Sequence, residues 1–184
     1  MQDAWPDWIK KDIPRMVSVD VETAGPNPTD YAMLSIGACT LIDPRKEFYI
    51  ELQPTTMKAD KNALEIHQLN LAKLSRTGEP PAWAMQLLAD WLAEVILSED
   101  PPLFLGFNAP FDWMFVCDYF HRFLGHNPFG HSALDVKSFF MGFGRVEWKG
   151  TSMTSISDTA LRHNALEDAI DQAKIFKHIV IGTE

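Results

Sequence analysis

The chain has 184 residues and a formal net charge of −9, with 46% hydrophobic and 22% charged residues. This length and balance suit one globular domain, 1–184, with a proper core, and exclude a disordered or fibrous chain. The acidity argues against nonspecific adhesion to long nucleic acid, which basic surfaces drive.

Residues 1–15 (MQDAWPDWIKKDIPR) read as an N-terminal extension without the apolar stretch or cleavage site of a signal peptide, in which Trp5 and Trp8 cover a sheet edge or a partner surface. No apolar run approaches the roughly 18–20 residues needed to span a bilayer, so the cytoplasm is the expected compartment. The alternating, valine-rich MVSVDVE from Met16 to Glu22 reads as the first strand. Met33–Ile42 and Glu47–Leu52 read as two more, and the DPRK between them as the turn of a hairpin. Short helices are expected over Lys58–Leu74. Pro81 opens a long amphipathic helix whose apolar stripe takes in Trp83 and Trp91, with Pro101 after its end.

Leu103–Phe107 is a short apolar run suited to a buried central strand. Asn108, as cap, and Pro110 then resemble a helix entrance into the aromatic segment Phe111–Leu124, where Trp113, Phe115, Tyr119 and Phe120 read as packing. Helices around Val136–Gly142, Met153–Arg162 and Leu166–Val180 complete the chain. Strands first, then alternating helix and strand, predict an α/β fold with a central mixed β-sheet flanked by α-helices. Cys39 and Cys117 read as small buried hydrophobes, with no soft partner at metal-ligand spacing.

Three groups of acids carry the chemistry. Asp20 and Glu22 are two apart on the first strand, so both point to one face while Val19 and Val21 face the core. Side-by-side carboxylates repel, and a divalent cation bound by hard oxygen ligands relieves that. Taken alone, the pair reads rather as the solvated face of an edge strand. Asp112 falls in the first turn of the helix after the buried strand, where it also complements the helix dipole. His163 precedes the last helix and Asp168 lies near its start, so both are placed to reach one site if that helix begins around Ala165. A solvated helix entry is the bland counterpart. Asp118, Asp135, Glu167 and Asp171 read as solvated or capping groups.

Together, in order and context, these pieces resemble the DEDDh 3′–5′ exonucleases, the family of polymerase proofreading subunits, RNase T and oligoribonuclease. Its first motif, DxE followed by Thr, is matched by Asp20, Glu22 and Thr23. The second, Asn-x-x-Phe-Asp, is matched by Asn108, Phe111 and Asp112, and the third, His with Asp five residues on, by His163 and Asp168. The resemblance runs from about Met16 to Ile179. It implies an RNase H-like fold with Asp20 and Glu22 on the central strand. It also implies that Asp20, Glu22, Asp112 and Asp168 hold two Mg²⁺ or Mn²⁺ ions, with His163 as general base. Single-stranded DNA or RNA 3′ ends are the implied partner, nucleoside 5′-monophosphates the implied product, and a homodimer an expectation from relatives.

By the same resemblance, backbone amides at Thr23 and Ala24 meet the terminal sugar and His67, in ALEIHQLN, reaches toward the 3′ nucleotide; a capping or exposed helix histidine is an equal reading of His67. Asn108 and Phe111 border the substrate, although Phe111 also suits the core. The AGPNPTDYAMLSIG after Glu22 and Thr23 departs from the Thr-Gly-Leu of many relatives, which leaves the preferred sugar open. A hydrolase of dinucleotides, suited to the acidic surface, and a catalytically silent binding module are the rival readings.

Overall fold

The computed structural model describes residues 5–157 and 162–182. The chain forms β1 (Met16–Thr23), β2 (Met33–Thr40) and β3 (Glu47–Glu51), then α1 (Lys61–His67), α2 (Leu71–Thr77) and α3 (Pro81–Val95). It continues through β4 (Leu103–Gly106), α4 (Pro110–Leu124), β5 (Ala133–Asp135), α5 (Val136–Gly144), α6 (Met153–Ile156) and α7 (Ala165–Ile181). The sheet order is β3-β2-β1-β4-β5, antiparallel from β3 to β1 and parallel from β1 to β5. A mixed sheet with helices against it is thus what the sequence pattern predicts. The β2–β3 hairpin is present.

Strand β1 is central, paired on both sides, and only Asp20 along it is not fully buried. Its valines Val17, Val19 and Val21 pack with Met85, Leu88 and Leu92 of α3 and with Phe115 and Phe120 of α4. Tyr119 is fully buried in the same layer, and its hydroxyl accepts from the Met33 amide at 2.8 Å, so this polar tip is satisfied. The other face is covered by α7, whose Ile175, Phe176 and Ile179 pack with Cys39, Leu105 and Val136. Each fully buried side chain of this size contributes about 1.5–3 kcal/mol, so the two layers supply most of the drive to fold.

Several details differ from expectation. The predicted central strand β4 lies one place from the margin; the edge is β5, three residues long and too short to announce itself by alternation. The segment 58–74 holds short helices as expected, divided because Gln68 turns left-handed (φ 59°) and Asn70 caps α2 through the Lys73 amide. Trp83 is 53% exposed and lies off the buried stripe, while Trp91 packs on Phe48 with ring centroids 5.7 Å apart. The helix expected over 153–162 stops at Ile156, with Ser157 extended; residues 158–161 lie outside the described residues. Trp5 and Trp8 cover helices rather than a sheet edge: Trp5 lies against Phe176 of α7, Trp8 against Phe139 and Phe143 of α5. Cys39 is buried, Cys117 half-buried, and neither forms a disulfide.

Candidate active site

The site is built where α7 begins. Gly37 of β2 stands opposite Asp20 in the antiparallel register. A Cβ there would lie 2.2 Å from the Leu166 amide nitrogen and 2.3 Å from the Ala165 carbonyl carbon, so only glycine lets the helix start rest on the sheet. Asn164 caps that start, accepting from the Leu166 and Glu167 amides, and α7 therefore begins at Ala165 as expected. Ser18 further ties the helix down by donating to the Ala169 carbonyl at 2.7 Å.

This docking brings Asp168 beside the β1 pair. Carboxylate oxygens of Asp20, Glu22 and Asp168 all lie within 4.8 Å of one another, close enough to hold one cation. Asp112 joins from α4: it is 5% exposed, and its Oδ1 accepts from the Val21 amide at 3.1 Å. Strand β4 pairs with β1 only from Met16 to Ser18, so beyond that point the β1 margin is open and Asp112 satisfies one of its amides.

The four carboxyls hold more negative charge than their surroundings stabilise. Burial first, then the charges of Asp112, Glu22 and Asp168, raises Asp20 well above the usual carboxylate range. Burial and the Asp168 charge push Glu22 up to about 7. Burial pushes Asp112 up to about 8, against the bond from Val21. Asp168 is raised too, by burial, despite the amides that bond it. An all-carboxylate donor set of this kind is suited to hard divalent cations such as Mg²⁺ or Mn²⁺.

His163 is exposed on the wall of the same cleft, with left-handed backbone (φ 57°). Asp168 holds its loop: Oδ1 accepts from the Arg162 amide at 2.8 Å and Oδ2 from the His163 amide at 2.9 Å. The cleft, about 630 Å³, is lined by the four acids, His163, Asn108, Phe111, Lys137 and Gln172 among others.

Asn108 lines the cleft but does not cap α4. It is left-handed (φ 62°), a conformation asparagine tolerates, and the cap residue is Ala109, with no side-chain bond. Asp135 takes over part of that task, accepting from the Ala109 amide at 3.0 Å and from the Ser138 amide of α5. Thr23, Ala24 and His67 are not among the cleft-lining residues. The Ala24 amide is spent on the Ala32 carbonyl at 2.8 Å. The Nδ1 of His67 accepts from the Leu69 amide at 3.0 Å, which leaves Nε2–H to donate to the Thr23 carbonyl at 3.1 Å. The ring thus braces the end of β1 from behind, buried and with its pKa lowered by that burial.

Gln172 escaped the sequence reading. It is 1% exposed; Nε2 donates to Asp20 Oδ1 at 2.6 Å and Oε1 accepts from the Phe107 amide at 2.9 Å. Its signal was available, since it stands one helical turn after Asp168 on the same face. Asp171 is not a solvated acid: it is 3% exposed, held by Lys174 at 2.7 Å and Arg162 at 3.2 Å. Glu167, by contrast, is exposed, and Asp118 pairs with Arg122.

Comparison with known proteins finds exonucleases similar to this chain. Residues 15–180 match the 3′–5′ exoribonuclease Rv2179c-like domain. The chain is 43% identical over 168 residues to the 3′–5′ DNA exonuclease Cap18 of Escherichia coli, covering 89% of this chain and 90% of that protein. Its fold matches the nuclease domain of 3′hExo, a DEDDh family member bound to rAMP, with a TM-score of 0.73 and 11% identity over 92% of this chain and 94% of the other. A full-length 3′-exonuclease gives the same TM-score at 12% identity; the match covers 89% of this chain and only 59% of that one.

Proposed function

The chain belongs to the family of the 3′–5′ exoribonuclease Rv2179c-like domain and is a 3′–5′ exonuclease; from that premise we propose that it releases nucleoside 5′-monophosphates from single-stranded 3′ ends, with DNA the preferred polymer. The observation that carries this is the cluster of Asp20, Glu22 and Asp168 within 4.8 Å in a cleft that also presents Asp112 and His163. The preference for DNA rests on the relative of matching length being named a DNA exonuclease, against a family description that names RNA.

Asp20, Glu22, Asp112 and Asp168 would hold two divalent ions, Mg²⁺ or Mn²⁺, which when bound acidify a water and stabilise charge on the departing oxygen. His163, exposed and with its backbone fastened to Asp168, takes the proton of the attacking water. The new P–O bond forms on the terminal nucleotide as the bond to the 3′ oxygen of the shortened strand breaks. Gln172 fixes Asp20 and, through the Phe107 amide, the loop after β4.

The test is digestion of 5′-labelled single-stranded DNA and RNA with Mn²⁺, Mg²⁺ or EDTA, beside Asp112→Asn and His163→Ala. Expected are ladders shortening from the 3′ end, none with EDTA, and none from Asp112→Asn, which keeps the acceptor for Val21. His163→Ala should lower kcat roughly 10²–10⁴-fold with little change in KM. Full activity of Asp112→Asn, or a His163→Ala defect confined to KM, refutes the assigned roles. No cleavage of either polymer or of dinucleotides refutes the activity.

A further inference from the structure

The acids of the cleft account for the scissile phosphate, but nothing in them attracts the rest of a polyanionic strand to a chain of net charge −9. Among the described cleft-lining residues, Lys137 is the one lysine or arginine. The basic groups nearby are committed elsewhere: Arg162 to Glu167 and Asp171, Lys174 to Asp171, Lys149 to Glu147. Lys137 has no carboxylate partner among the described residues. Its ammonium instead lies 4.2 Å from the centroid of the Trp148 ring, which is 50% exposed.

The fold gives this pair a defined place. Lys137 is in the first turn of α5, immediately after β5, and β5 lies two strands from β1 across β4. At roughly 4.8 Å per strand, that sets its origin about 10 Å to one side of the β1 acids. Asp135, which ends β5, bonds both the Ala109 amide and the first turn of α5, so Lys137 is anchored to the entrance of the helix that carries Asp112. A cation held over an aromatic face keeps its charge without being neutralised, and it is free to turn to an anion.

We infer that Lys137 forms the subsite for the nucleotide next to the one being removed: its ammonium, positioned by the Trp148 ring, binds the phosphate adjoining the scissile one. This rests on the exonuclease reading and adds a specificity-determining contact to it. Lys137 then governs how a strand is held against how a single phosphodiester is cut. In an acidic protein, one cation at that point also accounts for attraction to a short 3′ end rather than to long nucleic acid.

The experiment compares wild type, Lys137→Gln, Lys137→Arg and Trp148→Ala on two substrates with Mn²⁺: 5′-labelled dT10, and the p-nitrophenyl ester of thymidine 5′-monophosphate, which has no adjoining phosphate. For Lys137→Gln, KM for dT10 rises about tenfold, and the ratio of kcat/KM on dT10 to that on the ester falls by a similar factor. The slope of log kcat/KM against log salt on dT10 flattens by about 0.7, the value for one phosphate contact on a single strand. Lys137→Arg restores the ratio, and Trp148→Ala lowers it on dT10. An active wild type with the same ratio and slope in Lys137→Gln overturns the Lys137 assignment alone. A wild type inert on both substrates overturns the exonuclease reading and this one with it.

Discussion

Replacing Gly37 by alanine tests whether the approach of α7 to β2 is what assembles the acidic cluster. The added Cβ would sit 2.2 Å from the Leu166 nitrogen and 2.4 Å from the Ala165 oxygen, both backbone atoms that cannot rotate away. Ordinary contact begins near 3.4 Å, so the helix start must retreat by about 1.2 Å. Overpacking of this kind costs about 1–3 kcal/mol. For a chain of this size that lowers Tm by about 2–12 °C. Asp168 and the His163 loop move with the helix, away from Asp20 and Glu22. A misplacement near 1 Å at a reacting centre costs on the order of 10²-fold in rate. The assay is the thermal melt together with kcat and the Mn²⁺ concentration for half-maximal activity, with Gly142→Ala as control. Gly142 lies in α5 with nothing within 4 Å of an added Cβ, so that variant gains up to about 1 kcal/mol of stability and keeps its activity. Gly37→Ala with more than half of wild-type activity and an unchanged Mn²⁺ requirement refutes the reasoning.

Two further outcomes follow from the electrostatics. Burial pushes Glu22 and Asp112 up to about 7 and about 8 and raises Asp20 and Asp168 too, so the metal-free fold binds more protons than the unfolded chain from about pH 4 upward. Stability in EDTA therefore falls as pH rises from 5 to 8, by up to roughly 3 kcal/mol for Glu22 alone, and Mn²⁺ stabilises more at pH 8 than at pH 6. His67, lowered by burial, acts in the opposite sense below its unfolded pKa and opposes only part of this trend. Melts in EDTA that rise steadily from pH 5 to 8 contradict the uncompensated charge. Gln172→Leu leaves the Phe107 amide and Asp20 without their partner, costing about 1–3 kcal/mol and raising the Mn²⁺ requirement; urea unfolding and a metal titration check it, and an unchanged requirement counts against Gln172 as a positioning residue.

What the sequence determined by itself was local. The period of two in MVSVDVE placed Asp20 and Glu22 on one face and the valines on the other, and the spacing of His163 and Asp168 put both near the start of the last helix. Those are properties of neighbouring residues, and so is the order of the three motifs. Only the tertiary structure decided what comes together. Gly37 is unremarkable in SIGACT until α7 lies on it, and Gln172 is one more polar helix residue until Asp20 and the Phe107 amide meet its two ends. Asp171 reads as a solvated acid because its cations, Arg162 and Lys174, are recognisable only once the helix face and the loop are folded together. His67 reads equally, by resemblance, as a substrate contact and as a capping or exposed helix histidine, while its ring is buried and occupied by the Thr23 carbonyl and the Leu69 amide. In each case the deciding partner is an atom distant in sequence or a backbone group with no side-chain signature, and spacing along the chain carries no record of either.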